Sequence, residues 1–105
     1  MIKIYRDFIE INQQIMEKTW YSDINAKMLF FHLAFKARWK PEKFQGVTIP
    51  AGSLATSPQR LTDETGISVE KINWALALLE RSNEIAVKKH NEFIEIAIKN
   101  CSVQE

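Results

Sequence analysis

The fold is decided by residues 57–98, which read SPQRLTDETGISVEKINWALALLERSNEIAVKKHNEFIEIAI. Ser57 can cap a helix by accepting a backbone N–H, and Pro58 suits the first helical position. Gly66 suits a left-handed helix end, so the pattern predicts a short helix followed by a tight turn. Residues 69–82 then place apolar side chains at three- and four-residue intervals, which predicts a longer helix.

The segment after this helix alternates between apolar and polar residues. Residues 85–89 predict a strand, His90 and Asn91 predict a turn, and residues 92–98 predict the returning strand. A short helix, a tight turn, a longer helix and a hairpin follow one another in a helix-turn-helix with a wing.

Residues 24–39 predict another helix, which ends before Pro41 because the residue preceding proline disfavours helical geometry. This helix has two apolar stripes. One stripe consists of Ile24, Met28, Phe31, Phe35 and Trp39. The other, roughly 180° away, consists of Ala26, Leu29, Phe30, Leu33 and Ala37. One stripe can face the local core, so the other needs the N-terminal helix, a second subunit or a partner.

The N-terminal residues 4–18 also have a helical spacing. The apolar positions are Ile4, Phe8, Ile11 and Ile15. Residues 46–57 predict two short extended pieces around a turn. The expected fold class is therefore α+β and mainly helical: a winged helix-turn-helix with an added N-terminal helix and a C-terminal β-hairpin wing. It would be a single domain over residues 1–105, with residues 1–21 as a helical extension.

Composition narrows the class of protein. Lys plus Arg is 14 and Asp plus Glu is 13, for a formal net charge of +1, whereas dedicated nucleic-acid binders usually have a basic excess. One cysteine cannot form an internal disulfide, which favours a reducing compartment. No apolar run approaches the ~18 residues of a membrane span, and residues 1–20 contain charges throughout, unlike a signal peptide. We therefore expect a cytoplasmic protein.

No catalytic pattern is visible in the chain. We find no Ser/His/Asp arrangement, carboxylate pair or Gly-rich phosphate loop. His32 lies between two apolar stripes, so we expect it to have a structural role. His90 lies in a predicted turn that is exposed to solvent, and Cys101 is close to a chain end that is expected to fray. These residues lack metal-ligand spacing, so we expect no enzyme, no metal and no cofactor.

The helix over residues 69–82 has a second apolar feature. Its core face is expected to contain Val69, Ile72, Ala75, Leu76 and Leu79. The opposite face contains Glu70, Trp74, Ala77, Leu78 and Arg81. A DNA-reading helix would present polar or basic side chains there, whereas Trp and Arg are enriched at protein–protein hot spots. The predicted partner-binding residues are Trp74, Leu78 and Arg81.

Two alternatives to this partner surface remain open at this point. Trp74 and Leu78 could be core, buried by the N-terminal helix. DNA could be bound instead, and the candidate residues are Arg60, Lys71, Lys88 and Lys89. The excess apolar surface also predicts a homodimer. Its candidate interface residues are Phe8, Ile24, Met28, Phe31 and Phe35.

Several segments resemble the N-terminal domain of phage replisome organisers, relatives of the primosomal protein DnaD. The resemblance covers roughly residues 8–98 and includes the spacing Gly46, Ile49, Gly52. The matching segments are Trp20-Tyr21, LFFHLAFKA (29–37), GVTIPAGSLATS (46–57) and LTDETGISVEKINWALALLERSNEI (61–85).

The resemblance implies a winged helix, a role at replication initiation, self-association, and contact with DNA or the helicase-loading machinery. In size and type the chain also resembles small phage proteins that bind and inhibit the host's helicase loader. The leading hypothesis is a phage protein that engages the host helicase-loader ATPase and inhibits or redirects it. The alternatives are a DNA-binding replisome-organiser or regulator domain, and a purely structural dimer module.

Overall fold

The computed structural model describes residues 2–104, which form three α-helices and eight β-strands. The helices are α1 (Ile24–Lys36), α2 (Pro58–Thr65) and α3 (Val69–Arg81). The strands are β1 (Ile2–Ile4), β2 (Ile9–Ile11), β3 (Glu42–Phe44), β4 (Val47–Ile49), β5 (Ser53–Thr56), β6 (Ile85–Lys89), β7 (Ile94–Ile98) and β8 (Cys101–Val103). The chain is 38% helical and 28% strand. The molecule is a small α+β domain, and the predicted mainly helical class is wrong.

The strands form three sheets within the described residues. In the first sheet, β1 pairs antiparallel with β2 and parallel with β8. The second sheet is the antiparallel pair of β3 and β4. In the third, β7 is central: its Ile96 lies opposite Leu54 of β5 and Val87 of β6. Strand β5 precedes α2 and β6 follows α3, so α2 and α3 lie between two strands of this sheet in the sequence.

The predicted N-terminal helix over residues 4–18 is not formed, which also removes the helical extension over residues 1–21, whose first residue lies outside the described residues. The segment instead forms the β1–β2 hairpin, closed where the N–H of Tyr5 donates to the carbonyl of Phe8 (2.9 Å). A 3-10 helix follows at Gln13–Glu17. Isoleucines at alternate positions favour strands. Strand β8 pairs with the edge of β1 that β2 leaves open, a pairing that a helix at this position could not make.

Helix α1 begins where predicted but is shorter. The carboxylate of Asp23 caps it by accepting the N–H of Ala26 (2.8 Å). The helix ends at Lys36. Arg38 leaves the helical path because its backbone N–H donates to the carbonyl of Ser53, at the start of β5 (2.9 Å). This backbone hydrogen bond to the third sheet therefore ends α1 before the position at which Pro41 would have ended it.

The α2–α3 pair and the β6–β7 hairpin occupy their predicted positions. Ser57 caps α2 and Ser68 caps α3, each through its hydroxyl (3.1 and 3.3 Å to a backbone nitrogen). Gly66 ends α2 with a φ of 80° in the left-handed region, a conformation that costs glycine little. These local signals are sufficient to position α3.

Two strands lie outside the predicted elements. β3 reaches β4 through Gln45 and Gly46, which have φ values of 48° and 79°, and β8 pairs with β1. The two extended pieces predicted within residues 46–57 are confirmed as β4 and β5.

The core lies between α1, α3 and the inner faces of the first and third sheets. Its large, fully buried side chains include Ile2, Ile4, Leu29, Phe30, Leu33, Leu61, Ile72, Leu79, Ile85 and Ile96. Each contributes ~1.5–3 kcal/mol by leaving water. The core therefore extends from β1 at one end of the chain to β7 near the other.

Candidate protein-binding surfaces

Helix α3 turns most of its predicted core face inward. Ile72, Ala75 and Leu79 are fully buried, whereas Val69, in the first turn, is 37% exposed. Trp74 lies on the opposite side of the helix and is 51% exposed. The interpretation in which Trp74 is a core residue is therefore wrong, because the N-terminal helix that would have covered it is a hairpin.

The three predicted partner-binding residues differ in accessibility. Trp74 and Arg81 are exposed, while Leu78 is half-buried and packs against the core. Leu78 lies one helical turn after Ala75, at the edge of the buried face. The structure thus offers an indole and a guanidinium to a partner, with Leu78 contributing only part of its surface.

The exposed side of α3 is balanced in charge. Glu70, Lys71, Glu80 and Arg81 alternate in sign and are all exposed. The carboxylate of Glu80 also accepts the backbone N–H of Val87 in β6 (3.1 Å). An exposed aromatic among balanced charges is more typical of a protein contact than of a DNA-reading helix, which faces an anionic groove.

Helix α1 leaves one of its two apolar stripes in solvent. Ile24, Met28 and Phe35 are 70%, 54% and 68% exposed, and Phe31 is half-buried against the core. The opposite stripe, which includes Leu29, is buried. The structure confirms two stripes and leaves the predicted dimer-interface stripe accessible.

Phe8 lies near α1, but on an element that the sequence did not predict. It lies at the tip of the β1–β2 hairpin rather than on a helix, and it is 60% exposed. A cavity of about 490 Å³ lies between this tip and the end of α1, and both Phe8 and Phe35 line it. Phe8 therefore lies beside the Phe35 end of the α1 stripe.

The four candidate nucleic-acid residues lie on three elements. Arg60 is on α2, Lys71 is on α3, and Lys88 and Lys89 are at the end of β6. All four are exposed. Lys88 lies opposite Glu95 in the strand pairing, so its charge has an acidic neighbour.

His32 joins two helices rather than occupying the core. Its Nε2 lies 2.7 Å from Oε1 of Glu64 on α2, and Nζ of Lys36 lies 3.4 Å from Oε2 of the same carboxylate. The hydrogen bond with His32, and secondarily the neighbouring Lys36, lower the pKa of Glu64 below its ordinary value of 4.5. The predicted structural role is consistent with this α1–α2 link.

Two expectations near the C-terminus are wrong. His90 was expected in solvent, but it is half-buried, lies 2.9 Å from Oε1 of Glu95 and stacks on Phe93 with centroids 4.5 Å apart. Cys101 was expected near a frayed end, but it begins β8, and burial raises the pKa of its thiol. A thiol with a raised pKa is a poor nucleophile at neutral pH.

The structure contains a buried ionic contact at Glu84 that the sequence did not predict. Glu84 is only 4% exposed, and its Oε2 accepts the indole N–H of Trp20 (3.1 Å) and lies 3.3 Å from Nζ of Lys18. This contact ties the segment before α1 to the turn after α3. Trp20 and Glu84 are 64 positions apart, and no local periodicity signals such a pair.

Over residues 2–104, no group of three His, Cys, Asp or Glu side chains is arranged to hold a metal ion. The longest helices in that range, α1 and α3, have 13 residues each, and no helix there is long and apolar enough to cross a membrane. Comparison with known proteins finds no match to a family model, a curated protein or a solved structure.

Proposed function

We propose that the protein is a non-enzymatic binding module that acts by protein–protein contact through the exposed face of α3. The observation that supports this is the exposure of Trp74 in the middle of a helix whose other face is buried apart from Val69 in the first turn. Large apolar side chains in solvent often mark interaction sites. Trp74 would be the anchor, Arg81 a flanking polar contact and Leu78 part of the rim.

The partner we propose is the helicase-loader ATPase of a bacterial host. The support is the resemblance of the sequence segments to phage replisome organisers and to small phage inhibitors of helicase loaders. In this proposal the protein acts during phage DNA replication in the host cytoplasm, without a cofactor. By binding the loader, the protein inhibits or redirects the loader's activity.

The proposal is tested by titrating purified helicase loader with the protein and with Trp74→Ala in a calorimeter. Truncating a tryptophan anchor costs ~2–4 kcal/mol, so binding should weaken by roughly one to three orders of magnitude. The melting temperature should stay nearly unchanged because the side chain is exposed. Met16→Ala is the matched control, since Met16 is 57% exposed and lies outside α3.

Three results would contradict the proposal. Absence of binding between the wild-type protein and the loader would remove the loader as the partner. Unchanged binding by a folded Trp74→Ala variant would move the contact surface away from α3. A loss of binding that is equal for Met16→Ala would show that the effect is not specific to α3.

The second candidate function is a DNA-binding regulator domain. The favouring observation is that Arg60, Lys71, Lys88 and Lys89 are all exposed. With a net charge of +1, duplex binding should be weak and fall steeply with salt. Tight, sequence-selective duplex binding at physiological salt, lost when these residues are replaced, would establish this function instead.

We also propose a homodimer in which α1 packs antiparallel against α1 of a second copy. The stripe of Ile24, Met28, Phe31 and Phe35 is spaced by four, three and four residues, so the spacing is the same in either direction. A two-fold axis at its centre places Ile24 opposite Phe35 and Met28 opposite Phe31 of the second copy, which makes the stripe self-complementary. If no partner protein binds, this dimer would be the whole function, as a structural module.

A further inference from the structure

A groove runs between the tip of the β1–β2 hairpin and the chain that follows α1. Its volume is about 610 Å³, and its walls include Tyr5, Arg6, Phe8, Trp39, Lys40 and Pro41. The cavity of about 490 Å³ described above lies beside it and shares the hairpin tip and Trp39. The sequence alone gives no reason to expect a site at Tyr5 or Arg6, because residues 4–18 fit a helical spacing.

Three aromatic rings line this groove. Tyr5 and Phe8 are stacked, with ring centroids 4.3 Å apart and an angle of 13° between the planes. Phe8 is 60% exposed, so the stacked pair presents an open aromatic surface to solvent. Trp39, on the facing wall, is half-buried. Nucleobases stack on such rings without sequence preference, since every base has an aromatic face.

Two positively charged side chains lie close to the ring of Trp39. The guanidinium of Arg6 is 5.6 Å from the ring centroid of Trp39, and Nζ of Lys40 is 5.4 Å from it. Both residues are exposed, and within residues 2–104 neither forms an ion pair with an acidic side chain. By contrast, neighbouring Arg38 is paired with Glu42 (3.2 Å). The groove therefore combines aromatic rings with two cations that have no ion-pair partner among residues 2–104 and with one carboxylate, that of Asp7, in a chain whose net charge is only +1.

We propose that this groove binds single-stranded nucleic acid, with one base stacked on Phe8 and a second on Trp39 once Arg6 and Lys40 turn from its ring to the phosphates. Unpaired bases are required, because the bases of a duplex are stacked on one another and cannot reach the rings. An acidic peptide would complement the cations but leave the aromatic surface without a stacking partner. The site is separate from α3, so it stands or falls independently of the proposed loader contact.

The test is fluorescence anisotropy with labelled 15-nucleotide dT and U oligomers and with a 15-base-pair duplex, at several salt concentrations. Single strands should bind more tightly than the duplex, and the better of the two oligomers identifies DNA or RNA as the source. The double variant Arg6→Glu/Lys40→Glu should weaken binding by about tenfold or more and reduce the salt slope by about 1.4, at ~0.7 per phosphate contact. The matched control is Lys43→Glu/Lys99→Glu, which makes the same change in net charge at two exposed residues that line neither cavity.

A second measurement separates stacking from attraction between charges. Trp74→Phe leaves Trp39 and the buried Trp20 as the fluorescent indoles. Stacking of a base on Trp39 should quench the emission of this variant when dT or U oligomer is added, and further replacement Trp39→Phe should abolish the quenching. Poly-glutamate of equal charge should neither quench the emission nor displace the oligomers.

Several outcomes would overturn the proposal. These are the absence of single-strand binding, equal affinity for the duplex, equal weakening by the Lys43→Glu/Lys99→Glu control, binding without quenching, and displacement by poly-glutamate. Circular dichroism melts of each variant confirm that the protein is folded. Binding of the helicase loader by the same variants is measured separately, so failure here is distinguishable from failure of the α3 contact.

Discussion

Replacing Trp20 by Phe tests how the segment before α1 is fastened to the core. The change keeps an aromatic ring but removes the N–H that donates to Oε2 of Glu84 (3.1 Å). Glu84 is 4% exposed, so water cannot easily replace the lost donor, and Lys18 remains as its partner. A hydrogen bond to a charged group contributes ~1.5–3 kcal/mol. With the smaller ring leaving some unfilled space, the free energy of unfolding should fall by about 2–4 kcal/mol.

Urea unfolding followed by circular dichroism measures this loss. For a domain of this size, 2 kcal/mol corresponds to a fall in Tm of about 8–16 °C. The matched control is Trp74→Phe, the same replacement at a 51% exposed position, which should cost less than about 0.5 kcal/mol. In a Glu84→Gln background the amide oxygen still accepts the N–H, but the bond is neutral. The loss there should shrink by ~1 kcal/mol or more.

The reasoning fails if Trp20→Phe costs no more than Trp74→Phe, because the buried hydrogen bond would then contribute nothing. It also fails if the loss is the same with Glu84 and with Gln at that position. The effect would then come from ring volume, and the carboxylate would have no part in it.

Three further changes should have measurable results. Glu64→Gln should lower stability near pH 7, and this loss should shrink as the pH falls below 4.5. The bond with His32 depresses the folded pKa of Glu64 below 4.5, and this stabilisation is lost as the pH falls through the folded pKa; a loss that is independent of pH would contradict this. Phe35→Glu should convert the proposed dimer to a 12.2 kDa monomer in light scattering, and an unchanged mass would exclude the α1 interface. Gly52→Ala should lower the Tm, because Gly52 has a φ of 83° and an added Cβ would lie 3.1 Å from Sγ of Cys101; an unchanged Tm would contradict both the backbone strain and the contact with β8.

The middle and later parts of the fold are predictable because their signals are local. Ser57, Gly66 and Ser68 mark helix ends that the structure reproduces. The two-residue alternation after α3 likewise corresponds to β6 and β7. In each case the decisive hydrogen bonds join residues that are close in sequence, so composition and spacing are sufficient.

The N-terminal segment is not predictable in this way. Its apolar residues fit a helical spacing as well as a strand alternation, and local propensity does not decide between them. The decision depends on β8, in which Cys101 lies opposite Ile2. A partner almost a whole chain length away gives no signal to a window of neighbouring residues, so both β1 and β8 were missed.

The candidate surfaces were predictable in part for the same reason. The exposed stripe on α1 follows from helical spacing, and the exposure of Trp74 follows once the segment that was expected to cover it forms a hairpin. The Trp20–Glu84 bond and the groove at Trp39 are assembled from distant segments. Helical periodicity therefore locates faces on single helices but not sites formed between elements.

The parallel pairing of β1 with β8 sets the order of events during synthesis. Ile2 leaves the ribosome about a hundred residues before its partner Cys101, and residues are added at ~5–20 per second. For those seconds β1 has one hairpin neighbour and one open edge, which is a site where strands of other molecules can add. Closing so long a loop also has an entropic cost, so docking of β8 on β1 should be a late, slow step. The first sheet is complete only when β1 and β8 have paired.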